Sequence, residues 1–423
     1  MTATSETGFR GGPLAALRVR PFCWWFAGQI TSASGGMTQL VAVGWLVLRW
    51  HGNGLELGLL STAGLGPTLL GGLWAGSLID HHQRRTILIW TQSLLTASSL
   101  LLYALIVSGT ASYWPLVAIT MLTGTVSALD APARQIYVLD LVGTERVAGA
   151  VSLYEVVINL SRVLGPAIGG ALLATSGPAW CVLVNALTFL APLAVLIHYQ
   201  PRPAAPSSAK PGLRQAGAGR PSALEGLRYA CSQPLLRACL LLAASSALLF
   251  TPTLFYPLLA TRVFHLGGSG YGLLLAVFGA GALPGALLAS RRQPTGVQVR
   301  ALALAASVCV LVAAAAPALA VLLAGVALTG LFSIWMIASA NTLVQLRSAP
   351  ELRGRVMGAW TVALPGTLPV TALIAGALAD TLGPRIAYAA AGASLAAAVL
   401  ACWGAYTQAD QDAAQQPGAV PGG

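Results

Sequence analysis

The sequence has 423 residues, of which 56% are hydrophobic and only 8% are charged. A soluble protein carries about 25% charged residues, so this composition excludes an ordinary soluble enzyme and also a disordered chain. The formal net charge is +11, but the basic residues form no cluster with interleaved aromatic residues, and we expect no nucleic acid partner. The apolar residues run in long blocks rather than in alternation, which excludes a porin-like barrel.

Twelve apolar blocks follow one another along the chain, each long enough to cross a bilayer as a helix, which takes about 20 residues. They lie near residues 22–48, 57–79, 86–108, 113–134, 147–174, 178–199, 235–261, 270–290, 299–315, 317–342, 355–379 and 385–406. We therefore predict an all-α polytopic membrane protein with twelve transmembrane helices.

The segment between the sixth and seventh blocks predicts how the chain is divided. Residues 200–222 are rich in Pro, Gly, Ala and Ser, a composition typical of a linker. The predicted parts are a first six-helix half at 1–199, a cytoplasmic linker at 200–222, a second six-helix half at 223–406 and a disordered tail at 407–423.

The basic residues predict the orientation. With the N-terminus placed inside, 19 of the 23 Lys and Arg residues lie in predicted inner segments, and only Arg49, Arg262 and Arg385 lie in outer loops. Basic residues concentrate on the cytoplasmic side of membrane proteins, so both termini and the linker are predicted to be cytoplasmic. The positive net charge is thus mainly an orientation signal.

Two pairs of similar segments indicate an internal repeat. RWHGNGLELGLL at 49–60 matches RVFHLGGSGYGLLL at 262–275, and LVGTERVAGAVS at 141–152 matches RSAPELRGRVMG at 347–358. The pairs keep their order and are separated by similar distances, 213 and 206 residues. Two similar six-helix halves in parallel orientation are typical of secondary transporters, which bind substrate between the halves.

Three motifs in this frame resemble those of a known family. GSLIDHHQRR at 76–85 resembles the loop signature G-x-L-x-D-x-x-x-R-[RK] of the major facilitator superfamily, and NLSRVLGPAIGG at 159–170 is similar to its G-P-x-x-G-G element. SALEGLRYACSQPLLRA at 222–238 resembles the segment before the seventh span of bacterial exporters of the enterobactin and macrolide efflux group. The resemblance implies the major facilitator fold, with two pseudo-symmetric six-helix halves. The second half departs from the loop signature, because GALLASRRQPTG at 285–296 lacks the aspartate.

The loop signature and the fourth span supply candidates for an inner gate. Breaking and remaking ion pairs across the cytoplasmic seam between the halves would bias the inward-closed state against the inward-open state. The alternative is that the arginines only anchor the topology and that Asp80 caps a helix. Asp130 and Arg134 have the i, i+4 spacing of a helix ion pair at the predicted end of span four, so a plain helix-end pair beside Pro132 is the alternative to gating or proton access. The inner-gate candidates are Gly76, Asp80, Arg84, Arg85, Asp130 and Arg134.

The fifth span carries charge at membrane depth. Glu155, Asn159 and Arg162 occupy positions i, i+4 and i+7, which places them on one helix face. Charge in a membrane span is costly, so these residues should face a cavity or a partner. One hypothesis is that Glu155 takes a proton while Arg162 tunes its pKa or holds an anionic substrate; the other is a fixed ion pair that stabilises helix packing.

Small and polar residues complete the set of candidates. Gly165, Pro166, Gly169 and Gly170 follow on the fifth span and predict a tight, bendable contact with a neighbouring helix. In the first span, Gln29 and Gln39 either line the transport pathway or bond to neighbouring helices.

The family resemblance implies a secondary active transporter. We expect proton-coupled efflux of a small amphipathic molecule, such as a siderophore, an antibiotic or a metabolite, by alternating access. A proton-coupled uptake permease on the same fold is one alternative, and a membrane sensor or scaffold that does not transport is the other.

The expected partners follow from the same resemblance and from missing motifs. They are the small-molecule substrate, protons and the lipid bilayer of the bacterial cytoplasmic (inner) membrane, which the protein crosses several times as a monomer. The sequence has no G-x-x-x-x-G-K-[ST] loop and no clustered His and Cys residues, so we expect no enzymatic activity, no cofactor and no metal. The six scattered cysteines predict no disulfide framework.

Overall fold

The computed structural model describes residues 13–50, 52–143, 147–199, 223–291, 293–349 and 352–415. Within these ranges every regular element is helical. A 3-10 helix at Pro13–Arg18 and a π-helix at Leu259–Val263 accompany seventeen α-helices. Their bounds are Arg20–Trp50 (α1), Gly54–His81 (α2), Arg84–Val107 (α3), Tyr113–Val142 (α4), Val147–Thr175 (α5), Pro178–Thr188 (α6), Leu190–His198 (α7), Ala223–Ser232 (α8), Pro234–Ser246 (α9), Pro252–Leu258 (α10), Gly268–Ala289 (α11), Gly296–Ala314 (α12), Leu319–Arg347 (α13), Arg353–Ala363 (α14), Leu368–Thr381 (α15), Pro384–Ala401 (α16) and Trp403–Gln415 (α17).

Each predicted span corresponds to one helix or to two consecutive helices. Among the described residues, ten segments are long and apolar enough to cross a membrane, with α6–α7 and α14–α15 each forming one of them. The predicted second span is α2, a helix of 28 residues. The predicted seventh span is divided into α9 and α10. The prediction of an all-helical polytopic protein is confirmed.

Large apolar side chains lie on the surface of these helices. Trp90 of α3 is 73% exposed and Trp114 of α4 is 72% exposed. Contact with water would disfavour such exposed apolar side chains, whereas contact with lipid does not. A helix also satisfies its own backbone hydrogen bonds, as the bilayer interior requires. The surface therefore suits a bilayer.

The internal repeat recurs in the backbone. The turn between α5 and α6 has Gly177 at φ 88° followed by Pro178, and the turn between α15 and α16 has Gly383 at φ 91° followed by Pro384. Only glycine adopts such a positive φ without strain, and proline suits the first position of a helix. The two turns are 206 residues apart, the same spacing as the second pair of similar segments.

The seventh span is interrupted by a turn at residues 247–250. α9 ends at Ser246, and α10 begins at Pro252. The Thr251 hydroxyl donates to the carbonyl of Leu248 at 2.7 Å, which satisfies one backbone group that the break leaves without a helical partner.

The described chain folds into two compact units. One consists of Met1–Ala42 and Gly66–Lys210, and the other of Val43–Leu65 and Pro211–Gly423. The second unit therefore contains the C-terminal end of α1, the N-terminal part of α2 and the turn that joins them. The predicted linker, 200–222, lies outside the described residues, so its boundaries stay predictions.

The core of the first unit surrounds the N-terminal part of α1. Phe22 and Trp25 of α1 pack with Leu88 of α3 and Tyr137 of α4. The rings of Trp25 and Tyr137 meet edge to face with centroids 5.0 Å apart. This packing fixes α1, α3 and α4 relative to one another and so positions the polar side chains described next.

Candidate functional site

Asp130 and Arg134 form an ion pair inside α4. The helix continues for eight residues beyond Arg134, to Val142, so the pair lies within the helix and not at its end, where the predicted span boundary had placed it. Asp130 is 2% exposed. A charge this deeply buried is costly unless it is paired and hydrogen-bonded.

The carboxylate of Asp130 accepts hydrogen bonds at both oxygens. Oδ1 accepts from the Thr91 hydroxyl at 2.6 Å and from the Gln92 amide at 2.8 Å. Oδ2 accepts from Arg134. Thr91 and Gln92 are neighbours on α3, so this helix stabilises the charged form of the acid. Sequence reasoning missed both residues, although Gln92, an amide side chain within a predicted span, was a usable signal.

Arg134 links this pair to α1. Its Nη1 donates to Oε1 of Gln29 at 2.6 Å. The structure thus joins a predicted pathway residue, Gln29, to two predicted gate residues, Asp130 and Arg134. We call Gln29, Thr91, Gln92, Asp130 and Arg134 the charged cluster.

The charged cluster lies well inside the membrane-spanning helices. At 1.5 Å per residue, Gln29 is about 14 Å from the start of α1, Gln92 about 12 Å from the start of α3, and Asp130 about 18 Å from the end of α4. Intramembrane charges in transporters mark ion and substrate paths. The charged cluster is therefore a candidate site, and its role stays a prediction.

A small cavity adjoins the charged cluster. Its lining residues are Phe22, Trp25, Phe26, Gln29, Val138, Ala150, Tyr154 and Val157, and its volume is about 10 Å³, near the minimum for one water molecule. Among the described residues, Nε2 of Gln29 and Nε of Arg134 are buried polar atoms with no hydrogen-bond partner. The cavity is lined by apolar atoms, so neither nitrogen gains a partner from it in this structure.

A second polar group lies further along α1. Oε1 of Gln39 accepts from the Asn185 amide of α6 at 2.7 Å and from the Ser99 hydroxyl of α3 at 3.0 Å. Gln39 therefore bonds to neighbouring helices in this structure. Asn185 and Ser99 were not among the predicted site residues.

The glycine motif of α5 packs directly against α1. A methyl group on Gly165 would overlap Cβ of Met37 and lie 2.6 Å from the carbonyl oxygen of Ser34. One turn later, a methyl group on Gly169 would lie 3.1 Å from Cβ of Val41. The Thr38 hydroxyl donates to the carbonyl of Gly165 at 2.9 Å. The predicted close helix contact is thus present within the first unit, and Pro166 and Gly170 of the same motif are also buried.

The two arginines of the loop signature bond within the first unit. Arg84 pairs with Asp140 of α4 at 2.9 Å. Arg85 donates to the carbonyls of Leu196 and Ile197 at 2.7 and 3.2 Å. These carbonyls belong to the last turn of α7, where a cation is favoured by the helix dipole. Asp140 and the α7 terminus are partners that the sequence did not reveal.

Not all of the predicted site residues belong to the described part of the protein. The surroundings of Gly76 and the side chains of Asp80, Glu155 and Asn159 lie outside it. Arg162 is half-buried in α5. The predicted interaction of Glu155 with Arg162 and the predicted role of Asp80 stay predictions.

The described residues hold no grouping suited to a metal. They contain no set of three or more His, Cys, Asp or Glu side chains placed to bind an ion. All six cysteines are free thiols.

The sequence of the chain is similar to that of known proteins. Residues 11–419 match the model of the family described as transmembrane secretion effector. The chain is 27% identical to the multidrug efflux pump Tap of Mycobacterium tuberculosis over 377 residues, covering 84% of this chain and 86% of Tap. It is 31% identical to the enterobactin exporter EntS of Citrobacter koseri over 227 residues, covering 52% of each chain.

A solved structure shares the fold. The bacterial homologue of the human lysosomal transporter Spinster, in its inward-facing and occupied conformation, superposes with a TM-score of 0.66 at 16% identity, covering 95% of this chain and 98% of that one. At this identity the likeness shows the fold alone. The expected major facilitator fold is confirmed.

Proposed function

Because the chain belongs to the transmembrane secretion effector family of the major facilitator superfamily, we propose that it exports a small amphipathic molecule in exchange for protons. The protein is a multi-pass membrane transporter and not an enzyme. Its relatives include a multidrug efflux pump and an enterobactin exporter, which supports a drug or a siderophore as the substrate class. The proposed location is the bacterial cytoplasmic membrane, with both termini cytoplasmic and each monomer forming its own pathway.

The observation that carries the proposal is the charged cluster. Asp130 is a carboxylate inside a membrane span, with hydrogen-bond donors from α3 and a guanidinium from α4 around it. A proton on this carboxylate would remove its charge, weaken its bond to Arg134 and leave Arg134 to Gln29. Proton binding would therefore change the connection between α1 and α4.

Alternating access supplies the rest of the mechanism. In this fold, transport follows from the movement of one half against the other around a central site. A proton that is taken up in one state and released in the other biases that movement, because the two states bind it unequally. We assign the proton to Asp130, with Glu155 as a second carboxylate predicted on α5.

Transport in inverted membrane vesicles tests this function. Vesicles are incubated with a panel of antibiotics and siderophores, or preloaded with them to follow the reverse direction, with an imposed proton gradient or with the gradient collapsed by a protonophore. We expect at least one compound to accumulate only with the gradient, and Asp130→Asn to abolish that accumulation. Asp140→Asn is the matched control, since Asp140 is an acid of the same helix that pairs with Arg84 in a more exposed position.

Two outcomes would contradict the proposal. Accumulation that is independent of the gradient would exclude proton coupling. Gradient-driven loss of a compound from inverted vesicles would indicate uptake and would identify the protein as a permease for a small solute.

A further inference from the structure

The first turn of α2 is capped by an acid that is distant in sequence. Oδ1 of Asp380 accepts from the backbone N–H of Gly54 at 2.7 Å, and Oδ2 accepts from that of Leu55 at 2.8 Å. These are the first two residues of α2, whose N–H groups have no partner within the helix. The positive end of the helix dipole also favours a carboxylate here. Asp380 thus ties the last turn of α15 to the start of α2.

Arg262 adds a second connection at the same place. Its Nη1 donates to Oδ1 of Asp380 at 3.1 Å, and its Nη2 donates to the carbonyl of Gly52. Arg262 lies in the π-helix after α10. Its guanidinium therefore bonds at once to Asp380 and to the α1–α2 turn.

Beneath these charges α2 and α15 are in backbone contact. A methyl group on Gly58 would lie 2.6 Å from the carbonyl oxygen of Ala372. One turn further, the Thr62 hydroxyl donates to the carbonyl of Pro369 at 2.9 Å. The contact leaves no room for a side chain at Gly54 or Gly58, so this end of the two helices is closed.

The internal repeat shows that Asp380 is not required to form the turn that follows it. ALLATSGP at 171–178 and ALADTLGP at 377–384 align residue for residue, with Ala174 in the place of Asp380. Both segments form the same glycine-proline turn, and Thr175 and Thr381 each bond to the carbonyl four residues earlier. The turn therefore forms without an acid, and Asp380 serves the contact with α2.

We propose that Asp380, Arg262 and residues 52–55 form a latch that closes the predicted outer end of the transport pathway and opens in each transport cycle. Its bonds are electrostatic and lie near the surface, where water replaces them at little cost. Its helix contact is made by small residues, so separation exposes little apolar area. Both properties suit a contact that forms and breaks repeatedly.

The latch is tested by the reactivity of a buried position beneath it. Ala379 is 1% exposed, and a methyl group on Gly54 would lie 3.3 Å from its Cβ. In intact cells, Ala379→Cys is treated with a membrane-impermeant maleimide, and the parent chain gives the baseline for the native thiols. The reporter is combined with Asp380→Ala, Arg262→Gln or, as the matched control, Arg385→Gln. Arg385 is predicted to lie on the same side but donates to Ala316 instead.

The expected result is a graded increase in labelling rate. Asp380→Ala should raise the rate about tenfold, because every bond of the latch to α15 is lost. Arg262→Gln should raise it less, since Asp380 keeps both α2 N–H groups, and Arg385→Gln should leave it unchanged. An unchanged rate in Asp380→Ala, or an equal rise in Arg385→Gln, overturns the latch. If Asp380→Ala does not accumulate, Asp380→Asn takes its place with the same expected order.

The inference depends on the proposed orientation and not on the substrate or the coupling ion. Thr110→Cys, exposed between α3 and α4, reports the orientation in the same cells. Labelling of Thr110→Cys from outside, together with a rise in Asp380→Ala, supports the outer latch. Failure of Thr110→Cys to react overturns its placement on the outer side, whereas the transport assay above is unaffected by either result.

Discussion

At the residue scale, Asp130 accepts three side-chain hydrogen bonds inside a membrane span. Removing the charge of one partner in a buried ion pair leaves the other uncompensated. We expect Asp130→Asn to lower the free energy of unfolding by about 3–5 kcal/mol. Arg134→Gln should cost a similar amount, and the double variant should cost clearly less than the sum of the two. Thermal unfolding of the purified proteins in detergent measures all three.

The pair of Arg84 with Asp140 is the comparison for that cycle. Its side chains are 43% and 28% exposed, so Asp140→Asn should cost no more than about 1 kcal/mol. Additive effects of Asp130→Asn and Arg134→Gln would show that the two groups do not stabilise each other.

The site residues differ in how far the sequence revealed them. The i, i+4 spacing of Asp130 and Arg134 was sufficient to predict their pairing, because both lie on one helix. The contact of Arg134 with Gln29 joins two helices through residues that are 105 positions apart in the sequence. Helical periodicity carries no information about contacts between different helices. The partners of Arg85 are backbone carbonyls, which leave no trace in the sequence at all.

At the scale of elements, two helical glycines should respond in opposite ways to an added methyl group, because only Gly165 lies in the contact of α1 with α5. Gly165→Ala should destabilise the protein by about 1–3 kcal/mol, because the new methyl group overlaps Met37 in a packed interface. Gly36→Ala of α1 meets no atom within 4 Å and should stabilise it by up to about 1 kcal/mol through helix propensity. Thermal unfolding of both variants checks the signs, and a loss of stability in both would exclude packing as the cause.

The sequence predicted the spans better than their interruptions. Long apolar blocks determine where a chain crosses the bilayer, and each block corresponds to a helix or a helix pair. The breaks after Ser246 and Ala363 lie inside continuous apolar blocks. Prolines are present near both, but membrane helices tolerate proline because neighbouring helices satisfy the freed backbone groups. Proline alone therefore does not distinguish a bend from a break.

At the scale of the whole molecule, the uneven distribution of basic residues predicts one orientation. We expect Thr110→Cys to react with an impermeant maleimide in intact cells, and Gln293→Cys, exposed between α11 and α12, to react only after permeabilisation, because basic residues retain loops in the cytoplasm. The opposite labelling pattern would show that the protein has the inverted orientation in the membrane.

The two halves place their aspartates differently, and this also follows from the sequence. Asp80 of the loop signature has no counterpart in the second half, and Asp380 has none in the first. Pseudo-symmetry therefore extends to the backbone, including the turns at Gly177 and Gly383, but not to the charges. Charges at single positions of a repeat are free to differ because the turns form without them.

The divided seventh span constrains how the protein is assembled during synthesis. α9 is about 20 Å long and α10 has seven residues, so neither crosses the ~30 Å hydrocarbon core alone. Apart from α8, the helices that pack against them, α11 and α13 to α17, are all translated later. The nascent seventh span must therefore stay next to the insertion machinery until those helices arrive, and the second unit matures only as its last helices leave the ribosome.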